Sequence, residues 1–168
     1  MLETNFVGKH VTLDCTVSDG LFKISSKATV YDFLVDLTKR LDMTMVVPPI
    51  VLEFPHANET EKFAIKLKKA NVNHPLIDEF FIHLERKRKQ EAGVSGTIIW
   101  AESHSAFHSW PDRLFFSLDI YSCIDFDSDK AIKYVTDLFG VNYASIVILK
   151  RFIGQPAEVE TLEFKTDV

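Results

Sequence analysis

The sequence predicts an α+β domain, a largely antiparallel sheet with helices packed on one face. Segments that alternate polar and apolar residues are interspersed with segments whose apolar residues recur at helical spacing. At least one adjacent pair of strand-like segments is joined by a short connection, which favours antiparallel pairing. The chain has 168 residues, 46% hydrophobic and 26% charged, with no repeat of fixed period and no Gly/Ser-rich linker. Residues 1–168 are therefore expected to form a single domain.

Taken in order, Lys9–Cys15 alternates polar and apolar side chains and reads as a strand with one wet face. From Thr29 to Leu41 the period changes: Val30, Phe33, Leu34, Leu37 and Leu41 fall at helical spacing, and Thr29 followed by Asp32 resembles a capping box. Met43–Phe54 is rich in β-branched residues but interrupted at Pro48-Pro49, which suits an edge strand or two short pieces. Phe63–Val72 is a further strand candidate. Pro75 suits a first helical position, and Leu76, Ile77, Phe80, Phe81 and Leu84 form one apolar stripe of a helix reaching Lys89. Gly93–Ala101 and Arg113–Cys123 are strand-like and are expected to pair antiparallel, with Trp110-Pro111-Asp112 as the turn signal between them. A helix capped by Asp127-Ser128 runs through Ile132, Val135, Leu138 and Phe139 to a stop at Gly140. Ser145–Lys150 follows as a strand, and Val159–Lys165 is another candidate.

Composition narrows the function classes. Nineteen basic residues against 24 acidic give a formal charge of −5, so nothing global draws the chain to nucleic acid or anionic lipid. The one basic run, Arg86-Lys87-Arg88-Lys89, reads as a solvated helix end favoured by the helix dipole. The longest apolar stretch, Met45–Leu52, is broken by two prolines and is far short of the roughly 20 residues of a membrane-spanning helix. The N-terminus lacks a basic segment followed by an apolar one, so a cytoplasmic location is expected. Cys15 and Cys123 are too few for a disulfide framework and are expected as free thiols. Fourteen phenylalanines stand out, and most of these rings are expected to fill the core.

Chemistry-bearing side chains concentrate between Ser95 and Cys123, a stretch holding Ser95, Glu102, Ser103, His104, Ser105, His108, Asp119 and Cys123. A serine or cysteine hydrolase needs its nucleophile on a sharp turn such as G-x-S-x-G, and the stretch has none. A metal site at His104, His108 and Cys123 meets the objection that four-residue histidine spacing belongs on a helix, whereas these residues look extended. Taken one at a time, the serines and histidines read as satisfied polar groups of a strand pair.

Taken together, they resemble a family. Gly93-Val94-Ser95-Gly96, then Ala101-Glu102-Ser103-His104-Ser105-Ala106-Phe107-His108-Ser109-Trp110-Pro111-Asp112, then Leu118-Asp119-Ile120-Tyr121-Ser122-Cys123 resemble, in order and spacing, the prokaryotic S-adenosylmethionine decarboxylases. Gly8-Lys9-His10 and Leu149-Lys150-Arg151-Phe152 are similar to that family's outer strands. The resemblance implies a self-processing enzyme carrying a covalent pyruvoyl group. Ser103 would attack the Glu102 carbonyl in an N-to-O acyl shift that Ser95 helps to orient, with His108 as processing acid/base. Loss of the Ser103 α-proton and of the Glu102 carboxylate would leave dehydroalanine, which hydrolyses to pyruvoyl and ammonia. Chains 1–102 and 103–168 would result. The ketone would form a Schiff base with a small-molecule substrate and act as electron sink for decarboxylation. Cys123 occupies the proton-donor position; an ordinary cysteine thiol, which ionises near pH ~8.5, is mostly protonated at neutral pH. Cys15 lies outside the motif and reads as a packing residue.

The resemblance also implies a symmetric homodimer, associating through or beside the sheet with sites near the interface, and needs no metal, nucleotide cofactor, nucleic acid or membrane. The sequence departs from the family at the nucleoside. The phenylalanine that stacks on adenine, four residues before Gly93, is Lys89, leaving Phe54, Phe80 or Phe81 as candidate rings. The ribose-binding glutamate after Trp-Pro is Asp112, the glycine after the cysteine is Ile124, and the connection 55–92 is longer. Alternatives are a pyruvoyl-dependent decarboxylase of ornithine or arginine, and an uncleaved regulatory paralogue.

Overall fold

The computed structural model describes residues 5–54 and 92–166. The elements are β1 (Phe6–Val17), α1 (Leu21–Ile24), α2 (Lys27–Arg40), β2 (Met45–Phe54), β3 (Gly93–Trp100), β4 (Ser103–Trp110), a 3-10 turn (Pro111–Arg113), β5 (Phe115–Ser122), α3 (Ser128–Phe139), β6 (Val141–Phe152) and β7 (Glu158–Lys165). The strands form one seven-stranded sheet in the order β2-β3-β4-β5-β1-β6-β7, every neighbouring pair antiparallel. The predicted strand at 63–72 and helix at 75–89, with the basic run and Lys89, lie outside the described residues.

Period-two alternation decides which face each strand buries. Val11, Leu13 and Cys15 of β1, Phe107 of β4, Phe116, Leu118 and Ile120 of β5, and Ala144, Ile146 and Ile148 of β6 all point to one side. There they meet Val30, Phe33, Leu34 and Leu37 of α2 and Ala131, Val135 and Phe139 of α3. The centre of this core is a ring cluster: Phe107 stacks on Phe116 at 5.1 Å and on Phe139 at 5.4 Å, and Phe33 meets Phe139 edge-on at 5.0 Å. Trp100, almost fully buried, donates its indole N–H to Thr38 Oγ1 at 2.7 Å, so this polar tip is satisfied within the core. Both long helices lie on this face, as the periodicity of the sequence predicts.

α3 is capped as expected, Asp127 accepting from the Lys130 N–H at 2.9 Å and Gly140 adopting the left-handed conformation at φ 63°. For α2 the capping residue differs from the expectation: Ser26 Oγ accepts from Thr29 N, so the helix starts two residues before Thr29. Among the described residues β2 is an edge strand, with register shifts from Met45 to Ile50 around Pro48-Pro49, which have no N–H to give to a ladder. One expectation is corrected. Gly93–Trp100 and Phe115–Ser122 do not pair with each other; Ser103–Trp110, the presumed connection, is itself a strand between them. Ser-His-Ser-Ala-Phe-His-Ser carries little hydrophobicity, and its alternation is concealed because Ser105 and Ser109 are two of its three fully inward residues. Their hydroxyls are satisfied there, Ser105 by the Asp119 carbonyl at 2.7 Å and Ser109 by that of Ile24 at 2.7 Å.

Candidate functional site

Among the described residues no helix packs on the face opposite α2 and α3, and the candidate side chains gather there. On β4 the even residues His104, Ala106, His108 and Trp110 point to it, beside Ser95 and Thr97 of β3 and Ser117, Asp119 and Tyr121 of β5. The sequence-derived residues fall into two groups.

The first group lies where β3 turns into β4. Ser103 has φ 155°, a backbone conformation that L-residues rarely adopt and that glycine alone enters without cost. The turn before it is fixed from both sides. Thr44, beyond the end of α2, accepts from Ala101 N–H at 2.9 Å and donates its own N–H to the Glu102 carboxylate at 2.9 Å. Those bonds from Thr44 hold the Glu102 carboxyl below the usual carboxylate range. The Glu102 carbonyl accepts from the Cys123 N–H at 2.9 Å, because β5 ends opposite the start of β4, with Ser103 facing Ser122. The peptide carbonyl between Glu102 and Ser103 is thus polarised by a fixed donor. Ser103 Oγ lies 3.4 Å from His104 Nδ1, and the Cys123 thiol is free and exposed.

The second group lies farther along β4. Ser95 and His108 face each other across the β3–β4 ladder and join by a hydrogen bond between Ser95 Oγ and His108 Nδ1. The His108 ring packs edge-on against Trp110 at 4.3 Å and lies 6.5 Å from the Phe54 ring. Desolvation lowers its imidazole below its ordinary value of 6.5, so the neutral, proton-accepting form prevails at neutral pH. Ser95 and His108 line a cavity of about 320 Å³, a size suited to a small ligand, with Ile50 and Leu52 on one side and Ser117 and Asp119 on the other. Asp112 sits in the 3-10 turn after β4, exposed and near the same end.

The fold brings Glu102, Ser103 and Cys123 together, and Ser95 with His108, but separates the groups. The five residue steps of extended strand from Ser103 to His108 span about 16 Å, at about 3.3 Å per residue. Motif spacing along the sequence does not reveal this separation. Thr44 carried no signal at all, being 58 residues from Glu102. Cys15 is fully buried, its thiol pushed up to about 12 by burial and by the Asp14 charge, which fits a packing role. Among the described residues no three His, Cys, Asp or Glu side chains cluster as a metal site, and no helix is long and apolar enough to cross a membrane.

Known proteins share both the sheet and the motif. The chain is 40% identical over 70 residues to an S-adenosylmethionine decarboxylase proenzyme of Pyrococcus abyssi, covering 41% of this chain and 50% of that protein. It is 44% identical over 64 residues to the proenzyme of Pyrococcus furiosus, covering 38% and 46%, and 37% identical over 70 residues to that of Acidithiobacillus ferrooxidans, covering 39% and 53%. The matched region spans about half the length of these curated relatives. The crystal structure of the adenosylmethionine decarboxylase from Aquifex aeolicus VF5 superposes with a TM-score of 0.60, at 18% identity, over 90% of this chain and 96% of that one, which shows a common fold. A family model described as S-adenosylmethionine decarboxylase matches residues 60–152, more than half of the chain and all of the motif from Gly93 to Cys123. With its antiparallel sheet and its ordered motif, the chain belongs to the S-adenosylmethionine decarboxylase family.

Proposed function

We propose that the chain is a self-processing, pyruvoyl-dependent decarboxylase that cleaves at Glu102-Ser103 and acts on S-adenosylmethionine, supplying its decarboxylated form to spermidine synthesis. The observation that carries this reading is the Glu102-Ser103 junction, where a serine at φ 155° follows a carbonyl held by the Cys123 N–H. Conversion of that peptide to an ester relieves the backbone strain, and the Cys123 N–H stabilises the oxygen on which negative charge develops. Abstraction of the Ser103 α-proton by a neutral imidazole then expels the Glu102 carboxylate. Hydrolysis of the resulting dehydroalanine gives residues 1–102, residues 103–168 and ammonia.

The residues present fit a pyruvoyl group derived from Ser103. Such a group supplies a ketone that captures the substrate amine and accepts the electron pair released with CO₂. Around it, the Cys123 thiol returns a proton to the substrate carbon, and the Thr44 N–H retains the Glu102 side chain beside the cleaved junction. Ile50, Leu52 and Phe54 offer apolar surface for the nucleoside, with the Phe54 ring in place of the one that Lys89 replaces.

His108 and Ser95 are about 16 Å from their own Ser103, too far for proton transfer. In this reading two protomers lay their open faces together, and the Ser95–His108 pair of each serves the junction of the other. Ile50, Leu52, Ile99 and Val159 are exposed on that face, which supports its burial in a homodimer. The test is CO₂ release from S-adenosylmethionine, ornithine and arginine in parallel, on protein whose cleavage has been verified by mass. Turnover of S-adenosylmethionine alone is expected; turnover of ornithine or arginine in its place would overturn the substrate assignment.

A further inference from the structure

Consecutive side chains of a strand point to opposite faces, so a serine and a histidine at neighbouring positions are ordinarily out of reach of one another. At the start of β4 they are not. Ser103 stands at φ 155°, outside the regular strand conformation, and its Oγ comes to 3.4 Å from His104 Nδ1. His108, by contrast, is engaged by Ser95 in the same protomer. On the other side of Ser103, the carbonyl to be attacked is held by the Cys123 N–H at 2.9 Å, and its residue is anchored through the Thr44 N–H at 2.9 Å. A hydroxyl, an imidazole and a polarised carbonyl therefore meet within residues 102–104, held from outside by residues 44 and 123. The imidazole is steadied by the Tyr121 ring, 5.8 Å away, while it remains open to solvent.

We propose that His104 is the base of the first step of self-cleavage, taking the Ser103 hydroxyl proton as Oγ adds to the Glu102 carbonyl. The inference rests on the self-processing reading and divides its proton transfers between two histidines: His104 for ester formation, His108 for the later elimination. His104 acts as the tautomer protonated at Nε2, with Nδ1 free to accept. The Oγ–H proton passes to Nδ1 as the Oγ–C bond forms. The C–N bond then breaks, and the imidazolium returns that proton to the Ser103 nitrogen. One peptide bond is lost, one ester and one amine are gained, and His104 ends neutral. No metal, oxidant or other reactant is consumed. The strained φ thus raises the energy of the peptide where the base meets the nucleophile.

The test follows the full-length chain synthesised in a cell-free system, with cleavage read by mass over time in the presence and absence of hydroxylamine, which splits esters but spares peptides. Wild-type chain is expected to cleave unaided. His104→Ala and His104→Gln are expected to slow cleavage on the order of 10²-fold or more, the usual worth of a general base. Neither should accumulate an ester for hydroxylamine to split, because ester formation becomes the slow step, and added imidazole should restore part of the His104→Ala rate. His108→Ala is expected to accumulate a chain that hydroxylamine does split at residues 102 and 103. His104→Ala cleaving at the wild-type rate, or splitting with hydroxylamine as readily as His108→Ala, would overturn the assignment, as would a slowed His104→Ala that imidazole leaves unchanged. If the wild-type chain stays whole, the self-processing reading fails, and this inference fails with it.

Discussion

At the scale of single residues, the proposed mechanism gives the junction and the acid/base groups separable contributions. Ser103→Ala removes the nucleophile and is expected to stay full length and inactive, as seen by mass and CO₂ release. Cys123→Ala keeps the backbone N–H that holds the Glu102 carbonyl, so it is expected to cleave yet decarboxylate slowly, by about 10²-fold or more if the thiol is the proton donor. Full turnover by that variant would remove the thiol from the mechanism. The pH dependence follows from the direction of the His108 shift. Its imidazole accepts a proton only when neutral, and desolvation lowers its pKa from 6.5, so the base form persists into more acid solution. The acid limb of the elimination step is therefore expected below pH 6.5; a limb above it would assign the step to another group. Most of these candidates could be named from the sequence, because Glu102-Ser103, His108 and Cys123 stand at the separations that carry the family resemblance. Thr44 was not, since a backbone N–H supplies its contact and no side-chain type announces that.

At the scale of elements, legibility depended on contrast between the two faces. The helices at 27–40 and 128–139 bury apolar stripes and expose charge, and their period showed in the sequence. β4 did not show itself, because it turns serines inward as well as Phe107 and histidines outward, so neither face reads as apolar. That concealed strand decides how the site is arranged: it sets Ser103 at one end and His108 five residues on, and without its register the motif looks like one cluster. The ring cluster behind β4 holds it in place. Phe107 is almost fully buried against Phe33, Phe116 and Phe139, so Phe107→Ala is expected to cost about 3–5 kcal/mol, the usual range for a buried phenylalanine. Denaturant melts of a cleavage-incompetent Ser103→Ala background would measure it without two chains complicating the equilibrium. A loss below about 1 kcal/mol would mean that the cluster does not fix the strand.

At the scale of the whole molecule, α2 and α3 cover one face of the sheet, and among the described residues the other face holds two groups of candidate side chains about 16 Å apart. In the proposed homodimer, a two-fold arrangement covering this face would complete two sites at once. Mixing Ser103→Ala chains with His108→Ala chains is expected to restore cleavage to the His108→Ala subunit, since its own Ser103 would be served by the partner's intact His108. No restored cleavage in the mixture would place the whole reaction within one protomer. In the proposed mechanism the chain is a precursor that splits between Glu102 and Ser103. Intact mass of the purified protein after prolonged incubation tests it most directly. Two species are predicted, residues 1–102 and residues 103–168, the second carrying a ketone in place of an amino terminus. A single species at 19.2 kDa would contradict the account.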